Sequence, residues 1–392
     1  MKIAYFDGTL RIDDGVSRVI LRMAEYAVRY NHEAVIVTGY VEPNFQSPVP
    51  IKTIPSVKFP LYKDYRLPWP GQKGFKEYLD DFKPDIIHVH SPDTCSRAAL
   101  KYAAKRNIPI LATHHTAFNR YLPYYHLTWA APILWNLISR LYNRMDVVTS
   151  PSEVMAEELR LHGIKNVRVF TWGVNLGLFK PDAYSIEWRK KICDGKDCPI
   201  VSSISRLTWE KDLRILAETY NLLKSKLDSG FKMLVAGEGP AAAELKAIMP
   251  GAIFKGHLEP AEHSATYASS DIFLFPSSTE TFGLVGLEAM ASGAVPVVAD
   301  SGGSLAVVTD KQNGLLAQAM NPEDFCKKGV YLIEHPDERA RMRQNGIEHA
   351  KQFGWDSVLS NIFNLYTELI SNGKKSELAT RNQQLKNLPV PQ

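Results

Sequence analysis

Two glutamates eight positions apart, Glu280 and Glu288, stand in the run Ser277-Ser278-Thr279-Glu280-Thr281-Phe282-Gly283-Leu284-Val285-Gly286-Leu287-Glu288-Ala289-Met290-Ala291-Ser292-Gly293. The apolar tetrad Ile272-Phe273-Leu274-Phe275 before it reads as a buried strand. Pro276 and the Ser/Thr cluster make a loop, and a helix is expected from Phe282 or Gly283 to a stop at Gly293. The first N–H groups of such a helix, those of Gly283, Leu284 and Val285, lack an intrahelical partner and lie at the positive end of the helix dipole. That is a place for a diphosphate. Glu280 falls in the loop and Glu288 about two turns into the helix, so the carboxylates can grip opposite ends of one extended ligand. A carboxylate that accepts from two vicinal hydroxyls suits a ribose. An ordinary capped helix with surface glutamates is the alternative.

A cationic pair follows another strand. Pro199–Ile204 leads into Ser205-Arg206-Leu207-Thr208-Trp209-Glu210-Lys211. A departing nucleotide diphosphate gathers negative charge, which an Arg fork and a Lys point charge at a strand end would stabilise. A solvated turn explains the same residues, and Glu210 reads as structural. Val235-Ala236-Gly237-Glu238-Gly239-Pro240 is a strand and a tight glycine turn, near a ligand or simply a turn.

These loops need elements to hold them. The chain opens with the short strand Ile3–Phe6, the turn Asp13-Asp14-Gly15, and apolar residues Val16, Val19, Ile20, Met23 and Ala27 at helical spacing. Strands at 34–37, 84–90, 108–113 and 146–149 alternate with helical stretches. After a polar linker at 181–197 the alternation restarts with strands at 199–204, 232–236, 252–254, 272–275 and 295–299. This predicts an α/β protein of two doubly wound, Rossmann-like domains facing across a cleft. The expected domains are 1–180, and 181–354 for nucleotide-sugar binding. A closing helix, 355–372, should pack back on the first domain, and the polar 373–392 should be a disordered tail.

Composition excludes much else. Of 392 residues 45% are hydrophobic and 22% charged, as in a globular protein, and a net +4 is too mild to argue for nucleic acid. The first 180 residues hold 23 Lys and Arg against 16 Asp and Glu, the rest 23 against 26, so an anionic partner is expected on the first half. Arg18, Arg22 and Arg29 share one orientation on the first helix and can meet anionic headgroups, or are simply exposed. Cys95, Cys193, Cys198 and Cys326 are few and scattered, as reduced cytoplasmic thiols would be. The Cys193/Cys198 pair has zinc-like spacing without a second pair nearby. No secretory signal opens the sequence, and the longest apolar run, 127–138, is interrupted by Pro132 and spans about half of a bilayer. A cytoplasmic chain, peripheral at the inner membrane face, is the expectation.

The run S-x-x-E-T-F-G-L-V-x-L-E-A-M-A-S-G resembles the signature of the family 4 retaining glycosyltransferases, and the resemblance extends over nearly the whole chain. It implies the GT-B architecture, with Glu288 on the donor's ribose hydroxyls and Glu280 near the donor sugar. Arg206-Leu207-x-x-Glu210-Lys211 is similar to the family's R-L-x-x-E-K loop, which implies Arg206 and Lys211 on the diphosphate, with the Gly283–Val285 helix start beside them and Phe282 at its edge. Gly237 matches the family's G-x-G-P turn, and Phe254-Lys255-Gly256-His257-Leu258 its base-contacting strand, which implies His257. Leu111-Ala112-Thr113-His114-His115-Thr116 resembles its His-Thr, which implies that His115 reaches the donor sugar. Asp14-Gly15-Val16 matches the first-domain phosphate loop, where many members carry two glycines. Ala306 stands where the family usually has an acidic residue after Gly302-Gly303.

The aromatic stretch Ala117–Tyr125 resembles the lipid-directed mannosyl- and sulfoquinovosyltransferases of the family. The resemblance therefore implies transfer of a hexose with retention from a nucleotide sugar, GDP-mannose first and a UDP-linked glucosyl or sulfoquinovosyl donor second. The acceptor would be a glycolipid or a polyprenyl-linked sugar. It implies no metal or other cofactor. The other readings are a GT-B nucleotide-sugar epimerase and a non-catalytic sugar-nucleotide-binding subunit. A nicotinamide oxidoreductase would need G-x-G-x-x-G at the first turn, where Asp7-Gly8-Thr9-Leu10 stands.

Overall fold

A computed structural model describes residues 1–12, 14–58, 66–69, 74–115, 122, 127–228 and 230–386. Asp13 and most of the aromatic stretch 117–125 lie outside the described residues. Two parallel sheets form the frame. The first orders its strands Ile51–Thr53, Glu33–Thr38, Lys2–Asp7, Ile86–Val89, Ile110–Thr113, Val147–Ser150 and Val167–Val169. The second runs Ile253–Phe254, Lys232–Ala236, Ile200–Ile204, Ile272–Phe275, Val295–Ala299 and Leu315–Ala317. Every pairing in both is parallel, with Tyr5 opposite Ile36 and His88, and Val201 opposite Met233 and Ile272. Strands buried on both faces read as continuous apolar runs, which is why these segments were visible in the sequence.

Strand order reverses once in each sheet. In the first the reversal lies between Lys2–Asp7 and Ile86–Val89, in the second between Ile200–Ile204 and Ile272–Phe275. At such a point neighbouring connections leave toward opposite faces, and a crevice opens beyond the carboxyl ends of the two strands. The loops after Ile204 and Phe275, which carry Arg206 and Glu280, therefore start from the two sides of one crevice.

Local chemistry sets the helix starts. Asp14 caps the Gly15–Arg29 helix by accepting from Ser17 N at 2.8 Å, Asp93 caps Thr94–Arg106, and Ser152 caps Glu153–Leu161. The chain crosses back near 173–177. Val174 N donates to Phe353 O at 2.7 Å, and a Cβ on Gly173 would sit 2.6 Å from the Trp355 ring, so only glycine fits that crossing. The final helix, Trp355–Lys386, then lies on the first domain through Phe363 against Tyr26 and Tyr366 against His88.

Three expectations change. The 181–197 linker contains a helix, Ile186–Ile192, capped by Ser185 and pinned to the second domain by Arg189, which donates to Asp271 at 2.9 Å. Cys193 and Cys198 are joined in a disulfide rather than free; their Cα atoms, 6.0 Å apart across the turn that ends this helix, are within bridging distance. Cys95 and Cys326 are free and buried. The last helix runs past 372 to Lys386, since Lys, Glu, Leu, Ala, Arg and Gln in that stretch are good helix formers. Among the described residues no helix is long and apolar enough to cross a membrane.

Candidate active site

The crevice of the second sheet opens into a cavity of about 340 Å³ that the first domain closes from above. Arg206, Lys211, Gly237, His257, Glu280, Leu284, Val285 and Glu288 line it from the second domain, and Gly15 and His115 from the first. The structure thus brings ten of the twelve sequence-derived candidates to one space.

The other two act differently. Phe282 is fully buried, with its ring 6.0 Å from that of Trp172 and 5.9 Å from that of Phe353. It anchors the loop to the core rather than facing a ligand, because an apolar ring gains more from burial than from a polar cleft. Gly283 is the N-cap of the Leu284–Ser292 helix at φ +86°. It turns the chain so that the N–H groups of Leu284 and Val285 start the helix at the cavity.

The second-domain wall is braced by short polar contacts. Lys211 Nζ donates to Glu280 Oε1 at 2.5 Å, and Ser277 Oγ to the same oxygen at 3.1 Å. Asp212, in the left-handed region at φ 52°, accepts from Ser278 N at 2.8 Å and Ser278 Oγ at 2.7 Å. Thr279 Oγ1 donates to Glu210 O at 2.9 Å, so the 210–212 and 277–280 loops are one unit. Gly303 N donates to Glu280 O at 2.6 Å, and a Cβ on Gly303 would lie 2.0 Å from Phe282 N. The Gly302-Gly303 pair therefore supports the Glu280 loop from behind. Gly237, at φ +120°, packs on the Arg206 loop so tightly that a Cβ would fall 1.8 Å from Ser205 O.

Glu288 is 7% exposed, and burial raises its carboxyl to about 7, partly offset by the positive charge of Arg18. His115 is buried beside Trp172, with ring centroids 5.5 Å apart. Loss of hydration and the neighbouring His90 and His114 hold its imidazole well below the usual range, so it is neutral. A Cβ on Gly15 would meet nothing within 4 Å. The protein does not demand glycine there, and the missing side chain leaves space at the cavity wall.

Sequence reasoning missed Arg18 and His263, both of which line the cavity. Arg18 shares a helix face with Arg22 and Arg29, but periodicity fixes angle and not height. Arg18 sits in the first turn at the cleft. Arg29 is eleven residues on, about 16 Å along the axis. There Arg22 pairs with Glu25 at 2.6 Å and Arg29 with Asp356 at 2.8 Å, on a separate cavity beside the interdomain crossing. The expectation that the three meet one anionic surface is therefore corrected. His263 is placed by packing alone, edge-on to Phe179, and its ring is pushed down to about 4 by burial and by Arg18. No residue pattern announces it.

Cationic groups, a helix start, a buried carboxylate and a neutral histidine around one cavity between two parallel α/β domains are the arrangement expected of a GT-B glycosyltransferase. Comparison with known proteins agrees. Residues 14–178 match the profile of Glycosyltransferase Family 4, and residues 185–349 that of Glycosyl transferases group 1. The chain is 32% identical over 314 residues to the GDP-mannose-dependent alpha-mannosyltransferase of Mycolicibacterium smegmatis, spanning 77% of this chain and 80% of that one. It is 32% identical over 294 residues to the Sulfoquinovosyl transferase SQD2 of Arabidopsis thaliana, spanning 72% of this chain and 56% of the relative. In fold it is similar to the sucrose-phosphate synthase of Thermosynechococcus elongatus, with a TM-score of 0.77 at 20% identity over 95% of this chain and 99% of that one. The chain belongs to glycosyltransferase family 4.

Proposed function

We propose that the enzyme is a retaining α-mannosyltransferase that moves mannose from GDP-mannose to a hydroxyl of a glycolipid or polyprenyl-linked sugar. The observation that carries the reading is the single cavity shared by Arg206, Lys211, the Leu284–Val285 helix start, Glu288 and His115. In this reading the diphosphate lies on the helix start between Arg206 and Lys211, whose charges stabilise it as the anomeric bond breaks. Glu288 accepts from the ribose hydroxyls and His257 lies by the base. Glu280, oriented by Lys211, and His115 hold the sugar. The acceptor hydroxyl attacks from the face the diphosphate leaves, and a departing phosphate oxygen takes its proton, so configuration is retained. Domain closure keeps water from the donor. The cations stand where a divalent ion would otherwise neutralise the phosphates, so transfer should persist in EDTA.

The second reading, a glucosyl or sulfoquinovosyl donor, is supported by the equal identity to the sulfoquinovosyl relative. Thermal-shift titration separates them, because the matched donor stabilises the folded state by mass action. GDP-mannose should raise Tm more than GDP alone and more than UDP-glucose. A larger shift with the UDP-linked sugar assigns the enzyme to the second reading.

The acceptor side supports a membrane-borne substrate. No Asp or Glu occurs between Asp93 and Asp146, while seven Lys and Arg do. The Thr94–Arg106 and Ala131–Tyr142 helices pack their inner faces into one core, through Tyr102, Trp135 and Ile138. Outward, Trp129, Ile133 and Leu137 are 70%, 56% and 57% exposed, followed by exposed Arg140 and Arg144. Exposed apolar residues backed by cations, on a segment that itself carries no acid, suit an anionic bilayer surface. Ile133→Asp with Leu137→Asp should abolish co-flotation with phosphatidylglycerol vesicles and leave GDP-mannose binding intact. Unchanged flotation would reject this face.

A further inference from the structure

Behind His115 the first domain carries a file of buried rings that the reaction above does not use. His90 Nδ1 lies 2.8 Å from His115 Nε2, and their rings stack at 5.0 Å. His90 in turn lies against His88, centroids 4.0 Å apart. His88 is fixed at both nitrogens: Nδ1 meets the Tyr366 hydroxyl at 2.6 Å and Nε2 meets Thr113 Oγ1 at 2.6 Å. The file runs from the final helix to the cleft wall. His88 lies on the Ile86–Val89 strand and His90 just beyond its end, while His115 follows the adjacent Ile110–Thr113 strand.

Burial holds both His90 and His115 well below the usual imidazole range, so both are neutral. A neutral imidazole has one N–H and one bare nitrogen, and the 2.8 Å contact therefore exists in one of two forms. Either His90 Nδ1–H donates and His115 carries its own proton on Nδ1, or His115 Nε2–H donates and His90 carries its proton on Nε2. The two nitrogens left over, His115 Nδ1 and His90 Nε2, are buried without a protein partner. The first form leaves the unmade N–H on His115, whose ring lines the cavity although Nδ1 itself is covered, so a small movement of the wall on ligand binding would bring a ligand oxygen to it. The second leaves it on His90, which is not among the cavity-lining residues. A buried donor with no reachable acceptor is the costlier arrangement.

We propose that His90 is a positioning residue: its Nδ1–H fixes His115 as the Nδ1–H tautomer, so that His115 presents a hydrogen-bond donor to an oxygen of the donor sugar. This rests on the reading of His115 as a sugar contact. The Tyr366–His88 pair holds the His90 ring in its stack, which ties the cleft wall to the final helix.

The direct test is the tautomer itself. Long-range proton–nitrogen NMR on the full-length, ligand-free protein, with His115 assigned by its loss in His115→Ala, should show protonated Nδ1 and bare Nε2. His90→Asn, whose amide can donate from the same place, should keep that pattern and wild-type kcat within about threefold. His90→Asp accepts when ionised; it should place a proton on His115 Nε2, and where Nδ1 loses its own proton in exchange kcat should fall about 10–100-fold, with the Kd for GDP unchanged. A wild-type proton on Nε2 overturns the proposal even if both variants fail to fold. So does an inverted tautomer in His90→Asp with wild-type kcat. Wild-type transfer by His115→Ala instead overturns the sugar contact, whatever the tautomer.

Discussion

The two walls of the cleft are built by opposite means. The second-domain wall draws Arg206, Lys211, Glu280 and Glu288 from two loops and one helix that start at the same sheet crevice, and Asp212, Ser278 and Gly303 lock those loops together. The first-domain wall draws Gly15 and Arg18 from the start of one helix and His115 from the end of a distant strand, and its polar brace runs back to a helix some 250 residues away in sequence, through His90, His88 and Tyr366. One wall is assembled from loops of a single sheet, each of which a local motif can encode. The other exists only after the whole chain has folded. The difference predicts that substitutions in the second wall act on chemistry or on the fold at once, while those in the first wall act through positioning.

The largest effect is expected at Lys211. Lys211→Ala removes a cation from the place proposed for the leaving diphosphate and breaks its ion pair with Glu280, each only about 12–14% exposed at the side chain. Loss of one preorganised stabiliser costs about 10²–10³ in kcat. Transfer assays should show that loss, with cooperative melting retained. A smaller loss than for His115→Ala would reverse the ranking of the two walls.

Next is Gly237→Ala, which tests whether the second wall tolerates any movement. The left-handed backbone and the 1.8 Å approach to Ser205 O leave no room for a methyl group. The expected cost is about 1–3 kcal/mol of stability, read by denaturant melts, with Kd for the nucleotide weakened in parallel. At Gly15 nothing lies within 4 Å, so Gly15→Ala should leave the melt unchanged and weaken only ligand binding.

This contrast also explains what the sequence revealed. Strands buried on both faces and glycine turns made both sheets legible, and the spacing from Glu280 to Glu288 with Arg206 and Lys211 placed the second wall. Phe282 was misread because a motif records that a residue stays, not which way it points; here it points into the core. Arg18 was grouped with Arg22 and Arg29 because helical period carries no information about depth along the axis. His90 and His263 had no local signal, since their roles come from neighbours 25 residues away or more, or from packing on Phe179. The Cys193–Cys198 bridge was missed because few, scattered cysteines suggest free thiols until backbone geometry brings two together.

Glu288 separates the walls by pH. Its folded carboxyl titrates at about 7 against an ordinary 4.5. Between these values the folded protein holds the extra proton, so ligand-free stability falls as pH rises through 4.5 to 7. Glu288→Gln should therefore melt above the wild type at pH 8 and equal to it near pH 4. In the proposed ribose contact the hydroxyls donate to the ionised form, so wild-type nucleotide affinity should rise with pH across 7, and calorimetry on Glu288→Gln should find that slope gone. Because Arg18 partly offsets the burial, Arg18→Ala should move the wild-type midpoint upward, which is how a first-wall residue acts on second-wall chemistry.

The smallest expected effect lies where the walls touch. Ser152 Oγ, at the start of the Glu153–Leu161 helix, donates to Thr281 O at 2.8 Å, directly before Phe282 and the helix that starts at the cavity. It is buried, and the same oxygen also accepts from Met155 N. Ser152→Ala leaves both the Thr281 carbonyl and one helix-start N–H without this partner. A net cost near 1 kcal/mol is expected, shared between the domain contact and the cap. If the bond serves closure, the loss appears as an increase in KM for the donor of about fivefold, the factor that 1 kcal/mol represents, with kcat nearly unchanged. Ser152→Thr, which keeps the hydroxyl, should restore it. A variant that melts lower but keeps wild-type KM would assign Ser152 to the helix cap alone.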